Sequence, residues 1–541
     1  MTSMRPLVAA LLAGSLAACA ATPAPRTDAA PVQGIAVDVP DIRRPDGETA
    51  AWWFRDGAAQ AAGNGAMQGR ARNLILFVGD GMSLPTVAAA RILAGQREGA
   101  PGEEHRLAWE RFPHTALSRT YNTDTQTPDS AGTMSAMATG VKTRAGVISI
   151  GQSARLGDCA AAREAGVLTL WELAEATGMA TGVVTTARAT HATPAATFSH
   201  SAHRNWENDA QLPEAAKAAG CTDIALQMIE TPYGDGPDVL LGGGRTNFLP
   251  AGMPDPEYPD KSGRRKDGRN LVDAWLARHP GGRYAWNAAQ FAAAPVDAPL
   301  LGLFEPSHMQ YEHDRAGDAS GEPSLAEMTR AAIERLSRNP NGYVLLVEGA
   351  RIDHAHHDGN AFRALGDTIA MSEAVAVADA MTSADDTLVL VTADHAHTMS
   401  FVGYPVRGNP ILGLVREQQP DGSVAVATDD DGLPYTTLVY ANGPGYVGGE
   451  GRPDLATVDT AAPDYLQEAI VPLGAESHGG DDVGIWARGP GAGAVRGSVE
   501  QNAIFHFLLQ ANPRLREGLC NAGYCDGNGV PVELPDPDAF L

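Results

Sequence analysis

Asn73-Leu74-Ile75-Leu76-Phe77-Val78-Gly79-Asp80-Gly81 decides the fold. The apolar run is continuous rather than alternating, as in a parallel strand buried on both faces. Gly79-Asp80-Gly81 ends it, and Ser83 to Leu93 reads as a helix. The same alternation recurs outward from this stretch. Val167 to Thr177 is read as helix and Ala180 to Thr186 as strand; Asp238 to Leu241 is read as strand, closed by Gly242-Gly243-Gly244. Ser324 to Arg338 is read as helix before strand Tyr343 to Val347, and Asn360 to Met381 as helix before strand Thr387 to Thr392. Strands alternating with helices predict an α/β fold: a large, mostly parallel sheet sandwiched by helices.

In such a sheet, ligands bind outside the carboxyl ends of the strands. Chemistry-bearing residues sit at those ends: Asp80 after the first strand, Glu348 after another, and Asp394-His395 after a third. Glu348-Gly349-Ala350-Arg351-Ile352-Asp353-His354-Ala355-His356-His357 is the densest of these segments. If it is helical from Ile352, Asp353 and His357 share one face, where a carboxylate and an imidazole can hold one metal. His478 lies in the glycine-rich loop Glu476-Ser477-His478-Gly479-Gly480.

Pro128-Asp129-Ser130-Ala131-Gly132-Thr133 opens a run of small residues that reads as a buried helix to Gly140. Ser130 at its start would face an anion with free N–H groups and the helix dipole. The structural alternative is a capping serine. Serine as a nucleophile needs activation by a base or a metal. Two divalent ions about 4 Å apart would clamp the attacking and leaving oxygens of a phosphoryl transfer. Oxygen donors such as Asp80, Glu348 and a threonine suit magnesium. Ala189-Thr190-His191-Ala192-Thr193-Pro194 and Ser201-Ala202-His203-Arg204 follow in sequence, and the planar fork of Arg204 can hold two phosphate oxygens.

The 541 residues fit one large domain with insertions or two domains, and the net charge of −25 excludes a broad basic nucleic-acid surface. Arg5, the apolar Leu7–Leu16 and Leu16-Ala17-Ala18-Cys19 read as a bacterial lipoprotein signal, with Cys19 the lipidated residue; ordinary secretory cleavage is the alternative. Residues 20–45 read as a disordered tether, 246–300 as an irregular insertion, 400–475 as short strands and loops, and 526–541 as a polar tail. Cys159, Cys221, Cys520 and Cys525 remain after Cys19. An even count in an exported chain implies two disulfides, with three pairings possible; a four-cysteine zinc site is the weaker reading.

The motifs NLILFVGDGM, PDSAGTMSAMATGVKT, VVTTARATHATPA, HRNWENDA, DPEYPD, LLGLFEPSHMQYE, LLVEGARIDHAHHDG, LVTADHAH and ESHGGDDV stand in an order that resembles the alkaline phosphatases. The resemblance is to the animal type more than to the best-known bacterial type, and runs from about Asp46 to Cys525. It implies a catalytic domain over 46–525 that hydrolyses phosphate monoesters with broad specificity through a phosphoserine at Ser130, with Arg204 binding the phosphate. It implies two zinc ions, one held by Asp353, His357 and His478 and the other by Asp80, Asp394 and His395. It implies one magnesium, held by Asp80, Thr193 and Glu348. His191 and His354 match histidines near the metals of the animal type. A calcium site would use Glu257, the Phe304 carbonyl, Glu305 and Glu322; here Glu322 stands where animal enzymes carry Asp, and the preceding segment is about two residues longer, within a calcium-site region of about 246–322. The family pattern pairs Cys159 with Cys221 and Cys520 with Cys525. Residues 400–475 resemble the inserted crown at the family's homodimer interface. The C-terminus has no apolar anchor signal, so the expected membrane link is a lipid on Cys19 of a cell-envelope protein. A phosphodiesterase, sulfatase or phosphonate esterase of the same superfamily, and a lipid-anchored metal-binding or adhesive surface protein that has lost activity, are the competing readings.

Overall fold

The computed structural model describes residues 34–44, 47–448 and 451–541. Cys19, its leader and residues 20–33 of the expected tether lie outside the described residues. The main sheet has ten strands. Eight are β1 (Asn73–Gly79), β2 (His114–Arg119), β3 (Ala180–Arg188), β4 (Val239–Gly243), β5 (Arg283–Ala285), β6 (Leu300–Leu303), β7 (Tyr343–Gly349) and β8 (Thr387–Ala393). Val483–Arg488 and Gly497–Glu500 complete it. β1 lies between β7 and β8, parallel to both, with Leu76 opposite Leu346 and Leu390. Among the described residues of this sheet, only Val483–Arg488 runs antiparallel to its neighbours, β8 and β2.

The continuous apolar runs follow from two cores. Leu74, Leu76 and Val78 of β1 point into one, and Ile75 and Phe77 into the other. β7 and β8 divide in the same way, with Leu346 and Leu390 on the first side and Val347 and Val391 on the second. Period-two side-chain alternation thus feeds both faces, so no polar residue is wanted in either register. Helices Ala50–Gly63, Ser130–Thr139, Leu170–Ala176 and Ala503–Ala511 cover the first face; Leu84–Arg97, Leu325–Leu336 and Ala361–Met381 cover the second. Among the described residues, no helix is long and apolar enough to cross a membrane.

Three expectations are corrected. Residues 246–300 are not an irregular insertion: they hold helices Leu271–Arg278 and Ala288–Ala293 together with the edge strand β5, and they lead into β6 beside it. Short elements with exposed polar faces carry too few apolar residues to show a period. The described part of the tether is not free chain, since Ile35 and Val37 pack beside Ala58, Ala62, Val530 and Val532, and the Ile35 N–H donates to the Ala62 carbonyl at 2.9 Å. The same contacts bury Val530 and Val532 of the expected polar tail. Cys159 is bonded to Cys221 and Cys520 to Cys525. Residues 400–475 contain short strands, including Met399–Phe401, Leu438–Gly443 and Ala469–Pro472 in a small sheet of their own.

Candidate active site

Ser130 is the first residue of helix Ser130–Thr139, and the cap is Asp129, whose Oδ1 accepts the Gly132 N–H at 3.1 Å. The serine hydroxyl is therefore released from capping. Asn122 fixes the entry, with Oδ1 accepting the Asp129 N–H at 2.9 Å. A Cβ on Gly132 would come within 2.3 Å of the Asn122 amide, so this turn of the helix needs glycine. Ser130 is 2 % exposed; its Oγ lies 3.4 Å from Asp80 Oδ1 and 3.1 Å from His395 Nε2.

The strand ends bring the other residues to it. Asp80 leaves β1, Asp394 and His395 leave β8, and all three are fully buried. His395 Nε2 lies 3.4 Å from both Asp80 Oδ1 and Asp394 Oδ2. Asp394 Oδ1 is held by the Gly81 N–H at 2.9 Å and its neighbour's N–H at 2.8 Å, leaving the other oxygen turned to the imidazole. Gly81 has φ +69°, and a Cβ there would strike His397.

Helix Arg351–His357 places Asp353 and His357 on one face, with His357 Nε2 3.3 Å from Asp353 Oδ1. His478 Nε2 comes within 3.5 Å of the same oxygen and 3.1 Å of His357 Nε2. His478 Nδ1 donates to the Pro128 carbonyl at 2.8 Å, and His357 Nδ1 to the Glu476 carbonyl. With both Nδ1 atoms donating, two Nε2 lone pairs face one carboxylate, an arrangement that repels unless a cation lies between.

Glu348, at the end of β7, takes a 2.5 Å hydrogen bond from Thr185, and Thr193 lies beside it. Asp80, Glu348 and His191 each offer a ligand atom within 4.8 Å of the others. Asp80 Oδ2, Glu348 Oε1 and His191 Nδ1 are buried without a hydrogen-bond partner among the described residues. Burial and the charges of Asp353, Asp394 and Glu348 push the Asp80 carboxyl well up. Burial raises Glu348 to about 8 and holds His395 well below the usual imidazole range. Packed carboxylates with orphaned oxygens and neutral imidazoles form a donor set that fits divalent cations, whose charge would favour the ionised carboxylates and keep the imidazoles neutral.

Arg204 Nη1 donates to Asp129 Oδ2 at 3.0 Å and Nη2 to His191 Nε2 at 3.2 Å, so the capping residue of the serine helix also orients the guanidinium. His354 stacks edge-on against His308 at 4.1 Å and lies 5.6 Å from His191. Sequence reasoning passed over His308, Thr185, Asp129, His397 and Glu476. The last two stand inside the motifs ADHAH and ESHGG, which was the available signal.

The expected calcium residues divide. Glu257 and Glu305 offer ligand atoms within 4.8 Å of each other and of Asp318, which the sequence reading did not name. Glu322 adjoins them, its Oε1 accepting the Gln310 N–H at 2.9 Å. Burial raises Glu322 to about 9 and Glu257 to about 7. Phe304 is buried beside Glu305.

Residues 71–513 match the family model "Alkaline phosphatase". The chain is 45% identical over 456 residues to the tissue-nonspecific alkaline phosphatase of Gallus gallus, covering 82% of this chain and 85% of that one. It is 43% identical over 452 residues to the human tissue-nonspecific isozyme, covering 82% and 83%. Among solved structures it resembles the Thermus thermophilus alkaline phosphatase, with TM-score 0.60 and 26% identity over 87% of this chain and 96% of that one. The fold is shared with the enzyme from the Antarctic bacterium TAB5, with TM-score 0.54 and 19% identity over 82% and 98%. The chain belongs to the alkaline phosphatase family, metal-dependent hydrolases of phosphate monoesters.

Proposed function

We propose that Ser130 is the nucleophile of a phosphomonoesterase. Its Oγ gives its proton to solvent and bonds to phosphorus as the ester P–O bond breaks, and the leaving oxygen takes a proton from solvent. Water then bonds to phosphorus, Oγ leaves as a hydroxyl again, and inorganic phosphate departs. The observation that carries this reading is the Ser130 hydroxyl beside Asp80 and His395, at the head of a helix whose cap is another residue. Arg204, held by Asp129, binds two phosphoryl oxygens and keeps the phosphorus in line with Oγ.

Asp353, His357 and His478 would hold one zinc, Asp80, Asp394 and His395 a second, and Asp80, Thr193 and Glu348 a magnesium, with His191 and His354 alongside. Such ions supply electrostatic stabilisation of the transferring group and favour the deprotonated serine. Glu257, the Phe304 carbonyl, Glu305 and Glu322 would hold calcium. The chain would act as a homodimer through the crown of residues 400–475, where Tyr404 is 88% and Ile470 75% exposed, with Phe401 and Val471 also at the surface. It would be an exported cell-envelope lipoprotein anchored at Cys19.

Rates on an aryl phosphate monoester and the matching diester, with elemental analysis of the purified protein, test the assignment. The expected result is a strong monoester preference with zinc and magnesium present. Preference for the diester, or turnover without bound metal, contradicts it.

A further inference from the structure

The acidic cluster beside Arg245 holds one carboxylate more than the family pattern supplies. That pattern uses Glu257, Glu305, the Phe304 carbonyl and the acid before Pro323-Ser324. We infer that Asp318 is a direct ligand of the cation bound there, making a four-carboxylate site. The inference rests on the calcium reading of this region and deepens it.

Geometry comes first. One ligand atom each from Glu257, Glu305 and Asp318 lies within 4.8 Å of the others. Two oxygens bound to one calcium at about 2.4 Å are at most about 4.8 Å apart, so the three spacings lie within the span of one ion's ligands. Next come the orphaned oxygens. Glu257 Oε1, Asp318 Oδ2 and Glu322 Oε2 are buried and accept no hydrogen bond among the described residues. Glu322 is 4% exposed, and Glu305 and Asp318 are the carboxylates whose charge it feels.

The remaining oxygens are oriented by neighbours. Arg245 Nη2 donates to Glu257 Oε2 at 3.0 Å, the Gln310 N–H to Glu322 Oε1 at 2.9 Å, and the Tyr258 hydroxyl and Gln310 amide to Glu305 Oε1 at 3.1 and 2.9 Å. Each of these glutamates is therefore gripped by one oxygen, as outer partners grip metal ligands. A solvated acidic face would not bury unpaired oxygens against one another. Asp318 reaches the cluster from the end of the turn Arg315–Gly317. Arg315 pins that turn to Glu312 at 2.7 Å and reaches the Glu322 carbonyl at 3.4 Å. The turn belongs to the segment that is longer here than in the animal pattern.

Equilibrium dialysis of the full-length enzyme against radiolabelled calcium, with zinc and magnesium held constant, tests this. One calcium per chain is expected, with affinity falling about tenfold or more in Asp318→Asn and largely kept in Asp318→Glu, since ligand charge count sets calcium affinity. Melting supplies a second readout. Without calcium, Asp318→Asn should melt at or above the wild type, because a repelling charge is gone; with calcium, it should gain less. Unchanged calcium affinity in Asp318→Asn, or a calcium-free melt well below wild type, overturns the role of Asp318 and leaves the calcium reading standing. No calcium bound by the wild type overturns that reading itself, and this inference with it.

Discussion

His397 links Glu476 to Asp353: its Nε2 lies 2.7 Å from Asp353 Oδ1, and its Nδ1 contacts the Glu476 carboxylate. Burial disfavours charge on the ring, but the two carboxylates outweigh it and raise its pKa to about 9. Thr398 also donates to Glu476, through its backbone at 2.7 Å and its hydroxyl at 2.5 Å. The Asp353 oxygen approached by His357 and His478 is thereby fixed from behind.

His397→Ala should weaken retention of the ion at Asp353 by about 10–100-fold, the usual effect of removing a partner that orients a ligand. Timed release to a chelator measures it. Excess zinc should restore turnover. Metal release at the wild-type rate would show that the link carries no such role.

Arg204 and Asp129 separate binding from capping. Arg204→Ala should reduce kcat/KM by about 2–3 kcal/mol and weaken phosphate inhibition, since charge-assisted hydrogen bonds to the phosphoryl group are lost. Asp129→Ala should cost about 1 kcal/mol of stability as the cap goes, with a smaller kinetic loss as the guanidinium loses its guide. Steady-state kinetics and chemical denaturation of both variants test the pair; an unchanged kcat/KM in Arg204→Ala would remove the arginine from the site.

Lys142 is 1% exposed, with Nζ 2.8 Å from Glu500 and 3.3 Å above the Tyr121 ring. Burial lowers its pKa from 10.5 to about 8, against the pull of Glu500. A lysine whose folded pKa lies below its free value destabilises the fold at pH below 8, and that cost fades as pH rises to 10.5. Across that window this group should raise stability by on the order of 3 kcal/mol. Denaturation curves of the wild type and Lys142→Met should diverge there, with the variant lacking the rise. Parallel pH profiles would refute the shift.

The disulfides should differ in weight. Cys159–Cys221 spans 62 residues and Cys520–Cys525 only 5. Chain entropy gives about 4 kcal/mol for the first and about 2 kcal/mol for the second. Double Cys→Ser variants, compared by thermal unfolding, should rank in that order; the reverse order would mean that native contacts, not loop closure, dominate.

Much of this was legible in the sequence because both the strands and their ends carry strong signals. NLILFV announced a doubly buried strand, and Asp80, Glu348 and Asp394 fell where a parallel sheet gathers its ligands. Asp353 and His357 needed only the helical period. His397 stands in the readable motif ADHAH, but its link to Glu476, 79 residues away, is not legible, and neither is Asp318, which lies on a loop and meets Glu257 only through the fold. The elements of 246–300 were missed because their helices are short, and β5 is a three-residue edge strand with no apolar run. Helix Leu170–Ala176 starts later than the expected Val167, at a capping box of Thr169 and Glu172 that is readable in Thr-x-x-Glu.

The central claim is that phosphate passes through Ser130. Rapid acid quenching of the enzyme during turnover of a phosphate monoester, followed by peptide mass spectrometry, tests it directly. The expected result is one phosphate on Ser130, absent in Ser130→Ala, which should keep its metals and lose turnover. Phosphate found on another residue, or normal turnover by Ser130→Ala, would contradict the account.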